Sequence, residues 1–193
     1  MTLIDDSATA PATSDETAPD ETAAEAADRA ARLSAAGSAW HERIAAAPAT
    51  AELTYRVSGR GTGAVATRII AGKHRFTVDE PAALAGDDAA ASPVEYALGA
   101  LISCQVVVYR LYAQALGIVL DEVEINAEGD LDVRKLFGID ESGRAGFSAV
   151  RLDVRLSGPE PKERYAELQA AVDAHCPVLD LFQNPVPVQV TLG

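Results

Sequence analysis

The chain has 193 residues and a mass of 20.1 kDa, with 48% hydrophobic and 23% charged residues, so it suits one domain with an appendage and excludes disorder throughout. Its net charge of -13, from 29 acids against 16 bases, would repel a phosphate backbone, and nucleic acid is excluded as a partner. The two cysteines, Cys104 and Cys176, form neither a secreted disulfide framework nor a paired zinc pattern.

Residues 1–28 carry eight acids, no bases and otherwise mostly Ala, Thr, Ser and Pro. Such a segment buries too little apolar surface to offset its ordering entropy, and it reads as an acidic disordered tail. It contains no basic region and no apolar run of the kind a secretory signal needs, so the expected location is cytoplasmic. In residues 29–48 the pattern changes to Leu33, Trp40 and Ile44 among alanines and charges, which predicts a short amphipathic helix stopped before Pro48, with Trp40 docked on a larger surface. Residues 49–193 form the folded domain.

After Pro48 the period drops to two. Leu53, Tyr55 and Val57 alternate with polar residues and predict a strand that enters a turn at Gly59-Arg60-Gly61-Thr62-Gly63. Residues 65–70 and 74–78 extend the meander. The three glycines are a weak phosphate-loop signal, because a strand follows them where a phosphate cradle requires a helix.

Ser92-Pro93-Val94-Glu95 predicts a helix start, with Ser92 as N-cap, Pro93 in the first turn and Glu95 closing a capping box. The helix should end at Gly117. Apolar residues cover all its faces, which predicts enclosure by protein nearly all round, and the apolar stretch at 96–109, interrupted by Ser103 and Gln105, falls short of the roughly 20 residues of a membrane span. Val123, Ile125 and Ala127 then mark a half-buried strand, residues 130–147 a long connection, and Val150, Leu152, Val154 and Leu156 a second strand. A further helix bears the stripe Tyr165, Leu168, Val172 and then His175 or Cys176, and Pro177 ends it. The last strand places Val186, Val188, Val190 and Leu192 on one face. Strands and helices in this order predict an α+β fold.

A buried free cysteine is by itself an ordinary small hydrophobe. Cys104 lies mid-helix and Cys176 at the end of an apolar stripe, so both point toward one core, where their shared chemistry would be redox. A thiolate attacks the O–O bond of a peroxide to give a sulfenic acid, and a second thiol condenses with it to a disulfide. Burial raises a thiol pKa, and Cys104 lies too far along its helix to feel the N-terminal dipole, so a nearby arginine is required. Arg60, Arg68 and Arg75 in the hairpins are the candidates, whereas Arg110, six residues along the same helix, points about 120° away. Glu95 is either a capping residue or the group that orients such an arginine. His175 and Cys176 are sequence neighbours, which on a helix do not face each other. His41, His74 and His175 lack metal spacing, and no G-x-S-x-G is present, so metal and hydrolase chemistry drop out.

Phe76-Thr77-Val78-Asp79-Glu80-Pro81, Gly86-Asp87, the run from Ser92-Pro93 to Ser103-Cys104, Gly129-Asp130-Leu131-Asp132-Val133-Arg134, and Cys176-Pro177-Val178 followed by Asn184-Pro185-Val186 resemble the OsmC and organic hydroperoxide resistance superfamily. The resemblance covers about residues 50–193 and leaves the acidic tail outside. It implies an intertwined homodimer, with mainly antiparallel sheets wrapped around long central helices. It also implies a thiol-dependent peroxidase for organic hydroperoxides, with an external dithiol as reductant, no cofactor, no metal and no membrane partner. By position, Cys104 corresponds to the peroxidatic cysteine, Cys176 to the resolving one and Arg60 to the activating arginine. The family's catalytic glutamate usually follows proline directly; here Val94 holds that place and Glu95 comes one later. A redox-sensing or small-molecule-binding protein without turnover is the alternative on the same fold.

Overall fold

The computed structural model describes residues 22–193. Most of the acidic segment lies outside the described residues, but its end does not. Helix α1 spans Ala23–Ala46, beginning six residues before the expected start, because Thr22 and Glu25 form a reciprocal capping box. Trp40 does not dock on a larger surface: it stays 40% exposed, with the Arg43 guanidinium 4.9 Å from its ring centroid. The helix instead lies against the end of the long central helix, where Arg29 donates to the Leu120 carbonyl at 3.1 Å.

A short 3-10 turn at Pro48–Ala51 leads into the antiparallel meander β1 (Val57–Thr62), β2 (Ala66–Ala71) and β3 (His74–Val78). The first strand sits further along than the alternation of Leu53, Tyr55 and Val57 suggested. The glycines expected in the turn are inside β1, where Gly59 pairs with Ile69 and Arg60 with Arg68, and the turn begins only at Gly63, whose φ of 59° suits glycine. A Cβ at Gly59 would stand 3.0 Å from Ile69 Cδ1, close enough that the Ile69 side chain would have to shift slightly. The loop after β3 is held by Asp79, a buried carboxylate that accepts from the Asp87 and Ala89 amides at 3.1 Å each. Gly86 closes it, because a Cβ would come within 1.7 Å of the Glu80 carbonyl oxygen.

Helix α2 spans Pro93–Leu116 and starts and stops as expected, with the Ser92 and Glu95 capping box at one end and Gly117 in a left-handed conformation at the other. By length and composition this 24-residue helix is apolar enough to cross a membrane, contrary to the expectation from the shorter stretch at 96–109. Its packing shows a core helix: Leu101, Gln105, Val108, Tyr109 and Ala113 are buried against the elements that follow. The chain encloses only that face, however, and Val107 on another is 56% exposed.

Strands β4 (Glu122–Asp130) and β5 (Ala149–Ser157) pair antiparallel across the long connection at 131–148, with Ile125 opposite Val154 and Ala127 opposite Leu152. Their inward residues alternate as the period of two predicts. Helix α3 (Lys162–His175) brings Leu168 and Val172 fully into the core, together with Tyr109, Ile118 and Leu120. Pro177 ends α3 and also opens a seven-residue helix, α4 (Pro177–Gln183). The expected last strand is not formed: residues 184–193 enter no sheet among the described residues, and Val188, Val190 and Leu192 are 82%, 88% and 99% exposed.

Candidate functional site

The site is built where the middle of α2 meets the junction of α3 and α4. On α3, Leu168, Val172 and Cys176 recur every fourth residue, so the burial of the first two carries Cys176 inward to 2% exposure. Its backbone is fixed from both sides. The Cys176 amide donates to the Val172 carbonyl at 2.9 Å, and its carbonyl accepts from Asp180 at 3.0 Å as α4 begins. Cys104, half-buried on α2, packs against the same core.

The structure thus brings together two cysteines that are 72 residues apart in sequence. The Cys104 and Cys176 thiols are neighbours, with the Val178 amide beside the Cys104 sulfur, and both cysteines are free. Burial pushes the Cys104 thiol above its ordinary pKa; the Val178 N–H opposes this by favouring the thiolate, and the neighbouring thiol adds to the rise. None of these groups is a cation.

Val178 had no counterpart in the sequence reading. Its donor is a backbone amide freed because Pro177 starts a new helix, whose first N–H groups have no partner within the helix. The Cys-Pro-Val order is the only signal that could have found it.

Arg60 and Glu95 are not brought to the thiols within this chain. Arg60 is exposed on β1, and β3 of the same sheet touches the start of α2, where the Phe76 and Tyr96 rings stack at 5.2 Å and the Tyr96 hydroxyl donates to the Thr77 carbonyl. The Glu95 carboxylate accepts from the Ser92 amide at 2.7 Å and the Ser92 hydroxyl at 2.6 Å. Those bonds hold its pKa below the usual range. Of its two expected roles, capping is the one the contacts display. Arg110 points away as its helical phase requires, donating to Leu120 at 2.9 Å. His175 is tied to the Ala171 carbonyl at 2.7 Å and packs on Tyr112, apart from any nucleophile role.

The sequence model of the family described as OsmC-like protein matches residues 86–191, which include both cysteines and the whole of α2. No curated protein sequence matches the chain. Among solved structures, an OsmC-like protein from Mycoplasma pneumoniae is similar at 19% identity and a TM-score of 0.60, over 68% of this chain and 89% of its own. An organic hydroperoxide resistance protein OsmC from Legionella pneumophila is similar at 20% identity and a TM-score of 0.53, over 68% and 90%. One from Elizabethkingia anophelis, with thiocyanate bound, reaches 19% and 0.54, over 68% and 89%. At these identities the likeness is one of fold, a mixed arrangement of helices and antiparallel sheets. With more than half of its 193 residues inside the family match, the chain belongs to the OsmC-like protein family.

Proposed function

We propose that the protein is a thiol-dependent peroxidase that reduces organic hydroperoxides, with Cys104 as the peroxidatic and Cys176 as the resolving cysteine. The observation that carries this reading is the contact between the two thiols at the junction of α2 with α3 and α4. The Cys104 thiolate sulfur attacks the outer oxygen of R–O–O–H, so that an S–O bond forms and the O–O bond breaks. The alkoxide takes a proton from water and leaves as the alcohol. The Cys176 thiolate then attacks the Cys104 sulfenic acid, forming the disulfide and releasing hydroxide, which is protonated to water. A dithiol supplied from outside returns both cysteines to thiols and completes the cycle in a cytoplasmic setting.

The raised pKa of Cys104 leaves this chemistry short of thiolate, and a second copy of the chain is the proposed remedy. The apolar residues left uncovered on α2 and at 184–193 suit a homodimer, and Arg60 on the free face of β1 is available to a partner's thiol. Alkyl hydroperoxides should be favoured over hydrogen peroxide, since an apolar tail adds about 25 cal/mol per Å² buried.

The non-turnover sensor has one observation in its favour. Glu95 is committed to Ser92, and no cation among the described residues acts on Cys104, so oxidation could occur once and recover slowly. Consumption of cumene hydroperoxide with excess dithiol separates the two readings. A peroxidase turns over repeatedly, loses turnover in Cys104→Ser, and accumulates the sulfenic acid in Cys176→Ser. A single oxidation without turnover in the wild type assigns the sensor.

A further inference from the structure

A second feature lies in the half of the chain that carries the core. Between α2, β5, α3 and α4, closed on one side by the end of the 131–148 connection, is a cavity of about 650 Å³, within the size range of small-molecule sites. Leu101, Leu152, Leu179 and Phe182 line it, so most of a ligand there would meet hydrocarbon. Its floor is not apolar. Gln105 is 1% exposed, lines the cavity, and has no hydrogen-bond partner for its Nε2. One turn along α2, the fully buried Tyr109 hydroxyl also lacks a partner. A buried donor without an acceptor costs the full desolvation of that group, so two on successive turns of a core helix are an expensive arrangement for structure alone.

We propose that this cavity binds an uncharged, largely apolar small molecule through a carbonyl oxygen that accepts from Gln105 Nε2. The ligand is uncharged because the floor offers a neutral amide and no cation: a carboxylate carried to that depth would lose its hydration without an ion to replace it. The charged side chains among the lining residues, Arg144 and Asp173, are both exposed and of opposite sign, so they select for neither charge. Neither thiol is among the lining residues.

The test uses the full chain with 2-nonanone as the probe and sodium nonanoate as its charged counterpart, without hydroperoxide or dithiol, so that the result is independent of turnover. In titrations followed by amide chemical shifts, 2-nonanone should move resonances of Gln105, Leu152 and Phe182 together, and nonanoate should bind at least about tenfold more weakly. Gln105→Met keeps the length of the side chain and removes its donor, and should weaken 2-nonanone binding about fivefold. Leu152→Phe, which narrows the cavity, gives an independent loss if Gln105→Met does not fold. The proposal is overturned by shifts confined to the exposed face around Val107, by equal affinity in Gln105→Met, or by no binding to the wild type at millimolar probe.

Discussion

The two sheets of this chain are finished to different degrees. Around β4 and β5, Val123, Ile125, Leu152, Val154 and Leu156 pack into the core that α2 and α3 share, and Leu168 and Val172 are wholly enclosed. Around β1–β3 and the segment at 184–193, the same kinds of residue lie in the open: Val57, Ile70, Val186 and Val188 are all exposed. Alternation of apolar and polar residues says that one face is to be covered, and it does not say by which chain. The β4–β5 half is covered from within, whereas the apolar residues of the other half stay exposed in this chain.

The largest effect that tests this contrast is Leu168→Ala, which should cost about 2–5 kcal/mol in denaturant unfolding, because the helix-to-sheet core cannot refill the space. A loss below about 1 kcal/mol would show that the core is not closed where the structure closes it. Next comes removal of residues 186–193, which should leave the helical circular dichroism intact while shifting sedimentation from dimer to monomer. An unchanged dimer in that variant would assign the association to another face. Ser92→Ala removes the cap of α2 and should cost about 0.5–2 kcal/mol, while Glu95→Gln, which keeps an acceptor for Ser92, should change stability less. If Glu95→Gln instead abolishes peroxidase turnover at unchanged stability, Glu95 acts in the chemistry and capping is its secondary role.

Asp79 predicts a smaller, pH-dependent effect. The Ala89 amide, with the Glu80 and Asp87 amides, holds its carboxyl below the usual aspartate range. The unfolded chain therefore binds the proton more tightly than the folded one. Stability from this group is complete above about pH 3.9 and is lost as pH falls through the lower folded value. Limited proteolysis within residues 80–91 should accelerate over that interval, and in Asp79→Asn it should be fast at every pH.

Much of this molecule was legible because its own chain satisfies the pattern. The alternation of Val150, Leu152, Val154 and Leu156 became β5, and the spacing of Leu168, Val172 and Cys176 became the buried stripe of α3. The α2 caps were legible from Ser92, Pro93, Glu95 and Gly117, whose local chemistry decides the ends without tertiary help. The misplacement of β1 has a local cause: Gly59 and Gly61 carry no side chain to show alternation, so the strand continued through residues that resemble a turn. The last strand failed for the opposite reason. Its alternation was clear, but it joins neither sheet among the described residues.

At the site, helical phase suggested that Arg110 and His175 turn elsewhere, and they bond Leu120 and Ala171; the apolar stripe suggested a shared core for the cysteines, and Cys176 neighbours Cys104. The Val178 amide escaped notice because a backbone group has no letter in the sequence. Arg60 was selected by its place after the first strand, and its distance from α2 depends on how the two halves assemble, which no local pattern encodes.

The account rests on the two thiols acting as one unit, and the most direct measurement is peptide mapping after one equivalent of cumene hydroperoxide, with free thiols trapped before digestion. An intramolecular disulfide between Cys104 and Cys176, formed with loss of both thiols and absent in either Cys→Ser variant, is the predicted result. Recovery of both cysteines as unmodified thiols, or oxidation of Cys104 alone to the sulfinic acid with Cys176 untouched, would contradict it.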